Sequence, residues 1–481
     1  MPTQQLTTTS LPFSRLPRRT KIIFGLGDWG PTTAGTAIMF FFAFFLTDVA
    51  RLPPAYASLV LLIGGLWDAI NDPLVGLLAD RVRTRWGRRR PFFLFGAAPF
   101  ALTLIALWWA PPWDAPLAKM LYYVIAYLVW DTAFTLVSIP YSALTPELTE
   151  DYDERSRLNG YRMVVSMAGG LISAIAVPMV AGMFPEPKTG YLLMAVIFGV
   201  LGAIPYLLLF FGIRERAPLR PPSDLPPRRV EGNLAQGEGR GTGGGSGWGA
   251  GVFSIFRNHP FRYAAGIYLT SWVTISLVAA LFQYYLTYPM QMPDRVEIVL
   301  GLLQASALAC TAAAVWLATR LGKQQTYVVG VLCLSAIVIP LTLLQPGAET
   351  VVFALALLAG FGVAIAQVIP WAMVPDVIDA DELATGLRRE ATYYGVLTFA
   401  QKGGAALALA LMQGVLALTG YVAGAQQPAS ALLAMRLMIG PAPAVLLLIS
   451  AWLAWRYPLT RERHAALRAQ LAARRTADGS G

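Results

Sequence analysis

Three side chains able to bind a cation stand together in a stretch that is otherwise apolar. Asp68, Asn71 and Asp72 lie near the middle of a run from 56 to 80, which is long and apolar enough to cross a bilayer. On a helix, Asp68 and Asp72 lie one turn apart on the same face. Carboxylate and amide oxygens are hard ligands that suit an alkali cation, and either carboxylate can bind a proton instead. The spacing therefore predicts a cation site, unless both carboxylates pair with Arg or Lys of neighbouring spans.

The composition places this site in a membrane protein. Of the 481 residues, 56% are hydrophobic and 13% are charged, whereas a soluble domain carries about 25% charged residues. The net charge of +10 does not indicate a nucleic-acid partner, because the basic residues cluster in short links between apolar runs. Cys310 and Cys333 lie within apolar runs and form no metal-binding pattern. No HExxH, GxSxG or phosphate-cradling motif is present, which argues against an enzyme and against a cofactor other than a coupling ion.

The apolar runs predict an all-α protein with twelve transmembrane helices. The links after even-numbered spans carry most of the arginines and lysines, as do both termini. Both termini are therefore predicted to be cytoplasmic, in a multi-pass protein of the plasma membrane, which is the inner membrane in a bacterial cell. The predicted spans are 22–47, 56–80, 91–110, 117–143, 160–183, 190–213, 261–290, 297–318, 325–344, 350–374, 392–420 and 430–456.

The chain divides into two halves that repeat one another. The segment 139–148 at the end of span four is matched by 369–377 at the end of span ten, and acidic residues and then arginines follow both. Two six-helix halves predict a pseudo-symmetric, monomeric transporter with its binding site at mid-membrane. The predicted parts are a cytoplasmic segment (1–21), a six-helix bundle (22–213), a flexible linker rich in Gly and Pro (214–256), a second bundle (257–456) and a cytoplasmic tail (457–481).

Several isolated polar residues in the apolar runs are further candidates for chemistry. Lys402 either snorkels to the cytoplasmic interface or, as we favour, faces the cavity and balances the span-two aspartates. Arg162 offers a fork of donors to a hydroxyl-rich or anionic ligand, or contacts headgroups or a loop. Thr135 is a candidate extra oxygen for the cation. Asp28 and Asp131 each serve either as a ligand contact or in an internal ion pair.

The cytoplasmic end of span two carries charges that suggest a gate. Asp80, facing Arg81, Arg88 and Arg89, is expected to lock this side by ion pairs that break when the halves rock, although part of the basic run is a topology signal. Aromatic residues at similar depths either stack on a ligand or, more commonly, pack; these are Trp67, Tyr141, Trp371 and Tyr393.

Three segments together resemble a known family. They are 67–73 with 85–87, 139–162, and 375–404. The chain resembles the glycoside-pentoside-hexuronide:cation symporters of the major facilitator superfamily, over nearly its whole length. The resemblance implies that Asp68, Asn71, Asp72 and Thr135 form the sodium or proton site, with Asp68 and Asp72 as metal ligands if the coupling ion is sodium. It also implies that Arg162 and Lys402 help to build the substrate cavity.

The substrate positions differ from those of the sugar permeases in that family. Thr32, Ser138 and Ser142 replace two aspartates and a tryptophan, and they join Asp28, Tyr141 and Trp371 as candidate substrate contacts. A related branch, the vertebrate sodium-dependent lysophosphatidylcholine symporters, is similar through 46–50, 67–77, 140–145 and 370–371. The leading hypothesis is cation-coupled symport of a glycoside, pentose or hexuronide by alternating access, and the alternative is symport of a lysophospholipid.

Overall fold

The computed structural model describes residues 16–149, 151–213 and 254–477, and within these ranges it is built from helices. The N-terminal residues 1–15, almost all of the predicted linker 214–256 and the last four residues lie outside this description. The α-helices are α1 (Arg18–Leu26), α2 (Trp29–Ala37), α3 (Pro54–Arg81), α4 (Arg90–Leu107), α5 (Pro116–Leu148), α6 (Tyr152–Gly182), α7 (Pro187–Gly212), α8 (His259–Thr287), α9 (Val296–Leu321), α10 (Lys323–Val338), α11 (Glu349–Thr385), α12 (Glu390–Leu418), α13 (Ala429–Ile439), α14 (Pro441–Trp455) and α15 (Arg461–Ala477).

The helices confirm the predicted all-α membrane fold. Eleven helical stretches in the described residues are long and apolar enough to cross a membrane. They correspond to the second to twelfth predicted spans, and several helices extend beyond the predicted bounds into the links. The best example is α11, which ends at Thr385, well past the predicted end at residue 374.

The first predicted span is present but is not one continuous helix. After the break between α1 and α2, two π-helical turns follow, Ile38–Phe42 and Phe45–Val49. A Cβ atom on Gly27, within the break, would lie 2.5 Å from the ring of Tyr141, so glycine is required for α5 to pack here. Turns of π-helix are frequent at functional sites. The first of these turns packs against α8, and Asp48 of the second accepts hydrogen bonds from the second half of the protein.

The two halves, α1–α7 and α8–α14, meet along two pairs of helices. α3 packs along α12, and α6 packs along α9. A Cβ atom on Gly65 would lie only 2.4 Å from that of Ala406, so the backbones of α3 and α12 approach closely at this point. Because Gly65 lies just before Asp68 and Ala406 one turn after Lys402, this close approach brings the lysine to the aspartates.

Two faces of the bundle are used below as landmarks. The terminal face is the end at which α3 ends, α4 begins and the tail helix α15 lies. The opposite face is the end at which α4 ends and α5 begins. On the terminal face, His464 of α15 lies 3.2 Å from the carboxylate of Asp379 in α11, so the tail helix is docked on the second half.

Candidate cation and substrate site

Lys402 lies between the two aspartates that the sequence singled out. Its Nζ atom is 2.5 Å from Oδ1 of Asp68 and 2.5 Å from Oδ2 of Asp72. The three side chains are only 20 to 25% exposed, so these ion pairs are partly desolvated. The pairs also cross from α3 to α12 and thereby join the two halves. Because the lysine contacts both carboxylates, a cation that binds them must compete with its ammonium group.

Helix α5 supplies further polar groups beside the carboxylates. Thr135 donates a hydrogen bond to Oδ1 of Asp72 at 3.3 Å, and its role as a cation ligand stays a prediction. Asn71 instead donates its amide to Oδ2 of Asp131 at 3.1 Å, and both residues are 2% exposed. The side chain of Asp131 also lies beside that of Asp68. The structure thus places Asp131, for which the sequence left open a ligand contact or an internal ion pair, beside Asn71 and Asp68.

A cavity of about 950 Å³ lies between the halves and extends into the second half. Its polar residues gather at mid-depth and include Thr32, Arg162 and Gln401. Its other end approaches the opposite face and has an apolar wall that includes Leu286, Val299 and Val352. The cavity is therefore polar at one end and apolar along much of its length.

The predicted substrate residues divide into those that line this cavity and those that do not. Thr32, Arg162 and Trp371 line it. Asp28 lies behind the lining, with Oδ1 3.1 Å from Nε of Arg162. Lys402 contacts Asp68 and Asp72 of the candidate cation site, whereas its neighbour Gln401, which sequence reasoning missed, lines the cavity.

Tyr141 and the two serines at sugar-permease positions are not among the lining residues. Tyr141 is fully buried, donates its hydroxyl to the carbonyl of Phe24 at 2.8 Å and lies under the guanidinium of Arg162. It therefore supports Arg162. Ser138 is half-buried and Ser142 is exposed, and neither belongs to the cavity wall.

The predicted gate residues form ion pairs within the first half. Nη2 of Arg89 lies 2.8 Å from Oδ1 of Asp80, and its Nε lies 3.2 Å from Oε1 of Glu147. Burial lowers the pKa of Arg89, but these two partners outweigh it, so the pKa is raised above its usual value. Arg88 lies 3.8 Å from the same carboxylate of Asp80, and Arg81 is exposed. These pairs tie α3 to α4 and α5, and their role as a gate stays a prediction.

A second polar cluster joins the two halves near the opposite face, and sequence reasoning missed it. Asp48, in the second π turn, accepts hydrogen bonds from the hydroxyls of Tyr288 and Tyr421, both from the second half. Arg51 donates to the carbonyl of Ala423 at 2.5 Å. An acidic residue within an apolar run was the available signal, but its tyrosine partners lie more than 200 residues away and had no signature of their own.

We expect Asp48→Asn to weaken the closure of the opposite face. The amide has one acceptor oxygen where the carboxylate has two, and a hydrogen bond to a charged group contributes about 1.5 to 3 kcal/mol. The measurement uses proteoliposomes of a protein with a cysteine at position 36, in the cavity wall, and with Cys310 and Cys333 replaced by alanine. A maleimide added to the opposite face should label this cysteine about tenfold faster in Asp48→Asn than with Asp48 intact.

The control for this experiment is Asp294→Asn, the same chemical change at an exposed residue of the same face. Equal labelling rates in the wild type, Asp48→Asn and Asp294→Asn would show that the cluster does not hold this face closed.

The comparisons with known proteins agree with this architecture. The family model described as MFS/sugar transport protein matches residues 23–461. Among solved structures, a bacterial homologue of the iron transporter ferroportin superposes with a TM-score of 0.63 at 13% identity, covering 91% of this chain and 98% of that one. A bacterial homologue of the lysosomal transporter Spinster gives 0.62 at 15% identity, with 93% and 97% covered. At these identities the superpositions establish the fold.

Relatives in sequence are symporters. An uncharacterized symporter of Synechocystis is 35% identical, over 97% of this chain and 98% of its own length. The sodium-dependent lysophosphatidylcholine symporter 1-A of Danio rerio is 26% identical, with 92% and 86% covered. YagG of Escherichia coli, assigned as a glycoside/cation symporter, is 27% identical, with 97% of each chain covered. The chain therefore belongs to the MFS/sugar transport protein family and is a multi-pass, cation-coupled symporter of the major facilitator superfamily, not an enzyme.

Proposed function

We propose that the protein couples a cation to the transport of a lysophospholipid, an amphiphile with one acyl chain and a phosphate-bearing head. The observation that carries the proposal is the division of the cavity into a polar part at mid-depth and a long apolar part towards the opposite face. An apolar wall suits an acyl chain. The hydroxyls of a sugar would lose their hydrogen bonds to water against the same wall, at a cost of about 1 to 3 kcal/mol each.

The length of the cavity leaves room for an acyl chain. Val352 and Trp371 both line the cavity and are nineteen residues apart on α11. At about 1.5 Å per residue, the cavity follows roughly 28 Å of that helix. The hydrocarbon core of a bilayer is about 30 Å thick and contains two opposed leaflets, so a single acyl chain needs about half that length. The cavity therefore exceeds what one extended chain requires.

Arg162 is the residue that we assign to the phosphate. Arg162 lines the polar part of the cavity, its side chain is 31% exposed, and Asp28 pairs with its Nε. A planar guanidinium binds phosphate with two parallel hydrogen bonds, which a sugar hydroxyl cannot reproduce. Beside it, the hydroxyls of Thr32 and Ser166, 3.0 Å apart, offer further contacts to a polar head.

We assign the coupling cation, sodium or a proton, to Asp68 and Asp72 with Thr135 at their side. Cation binding would release Lys402 from the two carboxylates, and removal of this link between α3 and α12 would allow the halves to rock. The related vertebrate proteins are named as sodium-dependent, which supports sodium as the cation to test first.

We expect Ala356→Phe to block lysophospholipid transport. Ala356 is 7% exposed and lies in the apolar wall, where a phenyl ring would fill space that the acyl chain needs. Uptake of lysophosphatidylcholine should fall about tenfold, with shorter acyl chains affected less. The control is Ala354→Phe, which puts the same ring on an exposed position of the same helix. Equal activity of both variants at every chain length would contradict the assignment of the apolar wall.

Thermal stabilisation of the purified protein tests the choice of cargo. We expect lysophosphatidylcholine to raise the unfolding temperature more in sodium than in N-methylglucamine buffer, and we expect glycosides, pentoses and hexuronides to have no effect. Sodium-dependent stabilisation by a sugar, with no response to lysophosphatidylcholine, would favour the sugar hypothesis and reject ours.

A further inference from the structure

Two consecutive residues of α12 serve different sites. Gln401 belongs to the wall of the substrate cavity, and Lys402 contacts both carboxylates of the cation site. Neighbouring residues on a helix point about 100° apart, so one turn of helix presents one side chain to each site. A movement of this turn therefore affects both.

The side chain of Gln401 is held by the aromatic wall of the cavity. The hydroxyl of Tyr268 donates a hydrogen bond to Oε1 of Gln401, and Tyr268 is fully buried. The ring of Tyr268 packs edge-on against Trp371 with centroids 5.2 Å apart, and lies 6.2 Å from Trp272. Both tryptophans line the cavity, so a ligand that contacts them also acts on the partner of Gln401.

The amide nitrogen of Gln401 has no hydrogen-bond partner within the described ranges of the chain, and it is therefore available to a ligand. We propose that Gln401 is the positioning residue that couples the cavity to the cation site, an inference that rests on the proposed symport. A cation that displaces Lys402 moves the turn carrying Gln401, and Gln401 then rearranges the aromatic wall that meets the substrate. By linkage, substrate binding acts on the cation site through the same two residues.

The test compares substrate affinity with and without sodium. A fluorescent lysophosphatidylcholine analogue is titrated into the full-length protein in nanodiscs, in sodium and in N-methylglucamine buffer. In the wild type we expect sodium to tighten binding about tenfold, and in Gln401→Leu and Tyr268→Phe we expect a change of about twofold or less. The double variant should behave like either single one, since both remove the same hydrogen bond.

The matched control is Gln367→Leu, which removes a glutamine from the wall of the same cavity but on α11, away from Lys402. It should change affinity in both buffers while the sodium effect persists. Sodium alone should stabilise Gln401→Leu against heat as it does the wild type, because the carboxylates are intact.

Three outcomes decide the question. A sodium effect in Gln401→Leu equal to that of the wild type overturns the proposal. Loss of sodium stabilisation in that variant also overturns it, because Gln401 would then belong to the cation site itself. A wild type that binds no lysophosphatidylcholine in either buffer refutes the proposed cargo instead, and the same comparison made with the sugar that binds then decides the role of Gln401.

Discussion

Replacing Asp72 by asparagine should abolish sodium-stimulated transport. In the site that we propose, Asp72 supplies a carboxylate to the cation, and its Oδ2 is one of the two carboxylate oxygens that Lys402 contacts. Asparagine offers sodium no negative charge, and the loss of one charged partner from a largely desolvated pair, here the carboxylate and sodium, costs about 3 to 5 kcal/mol. We therefore expect the sodium affinity of Asp72→Asn to fall about 100-fold or more, since every 1.4 kcal/mol is about tenfold. Sodium-stimulated uptake and sodium-dependent thermal stabilisation both measure this loss.

Asp294→Asn is the matched control for this variant, because it makes the same chemical change at an exposed residue outside the site. Asp72→Asn should still fold, because Lys402 retains Asp68 as a partner. Undiminished sodium stimulation in Asp72→Asn would remove this residue from the coupling site.

Lys402→Gln should have the opposite effect on sodium affinity. The ammonium group competes with sodium for both carboxylates, so its removal should tighten sodium binding about tenfold. Without sodium the two carboxylates are left unpaired at membrane depth, and the variant should be less stable than the wild type. Transport should nevertheless fall about 100-fold, because the lysine that replaces sodium during release is missing.

A sodium titration of thermal stability separates these expectations. Lys402→Gln should start from a lower unfolding temperature and gain more from sodium than the wild type. Lys402→Arg keeps the positive charge and should lie between the two. Weaker or unchanged sodium binding in Lys402→Gln would mean that the lysine does not compete with the cation.

The sequence predicts a cation site at these residues because their signal is local and rare. Charged side chains inside an apolar run are costly, so Asp68, Asp72 and Lys402 stood out individually. The pairing of Lys402 with aspartates 330 and 334 residues earlier in the chain could be favoured from charge balance alone. The hydrogen-bond partner of Asn71 could not be predicted in this way. Its amide donates to Asp131 because of how α3 and α5 pack.

Other features depend on packing that leaves little trace in the sequence. The break in the first span is made possible by Gly27 against Tyr141, a contact between distant helices. The cluster around Asp48 needs tyrosines from two other helices, and tyrosine is unremarkable in an apolar run. The division of the cavity into polar and apolar parts arises from side chains of many helices, so the sequence could name Arg162 and Trp371 but not the wall opposite them.

Sodium-driven transfer of a lysolipid is the most direct test of the account. In proteoliposomes, fluorescent lysophosphatidylcholine that has crossed the bilayer is protected from extraction by albumin. We predict that an inward sodium gradient increases the protected fraction in the wild type and leaves it unchanged in Asp72→Asn. Transfer that is equal with and without the gradient in the wild type, or a gradient effect that persists in Asp72→Asn, would contradict cation-coupled lysophospholipid symport through this site.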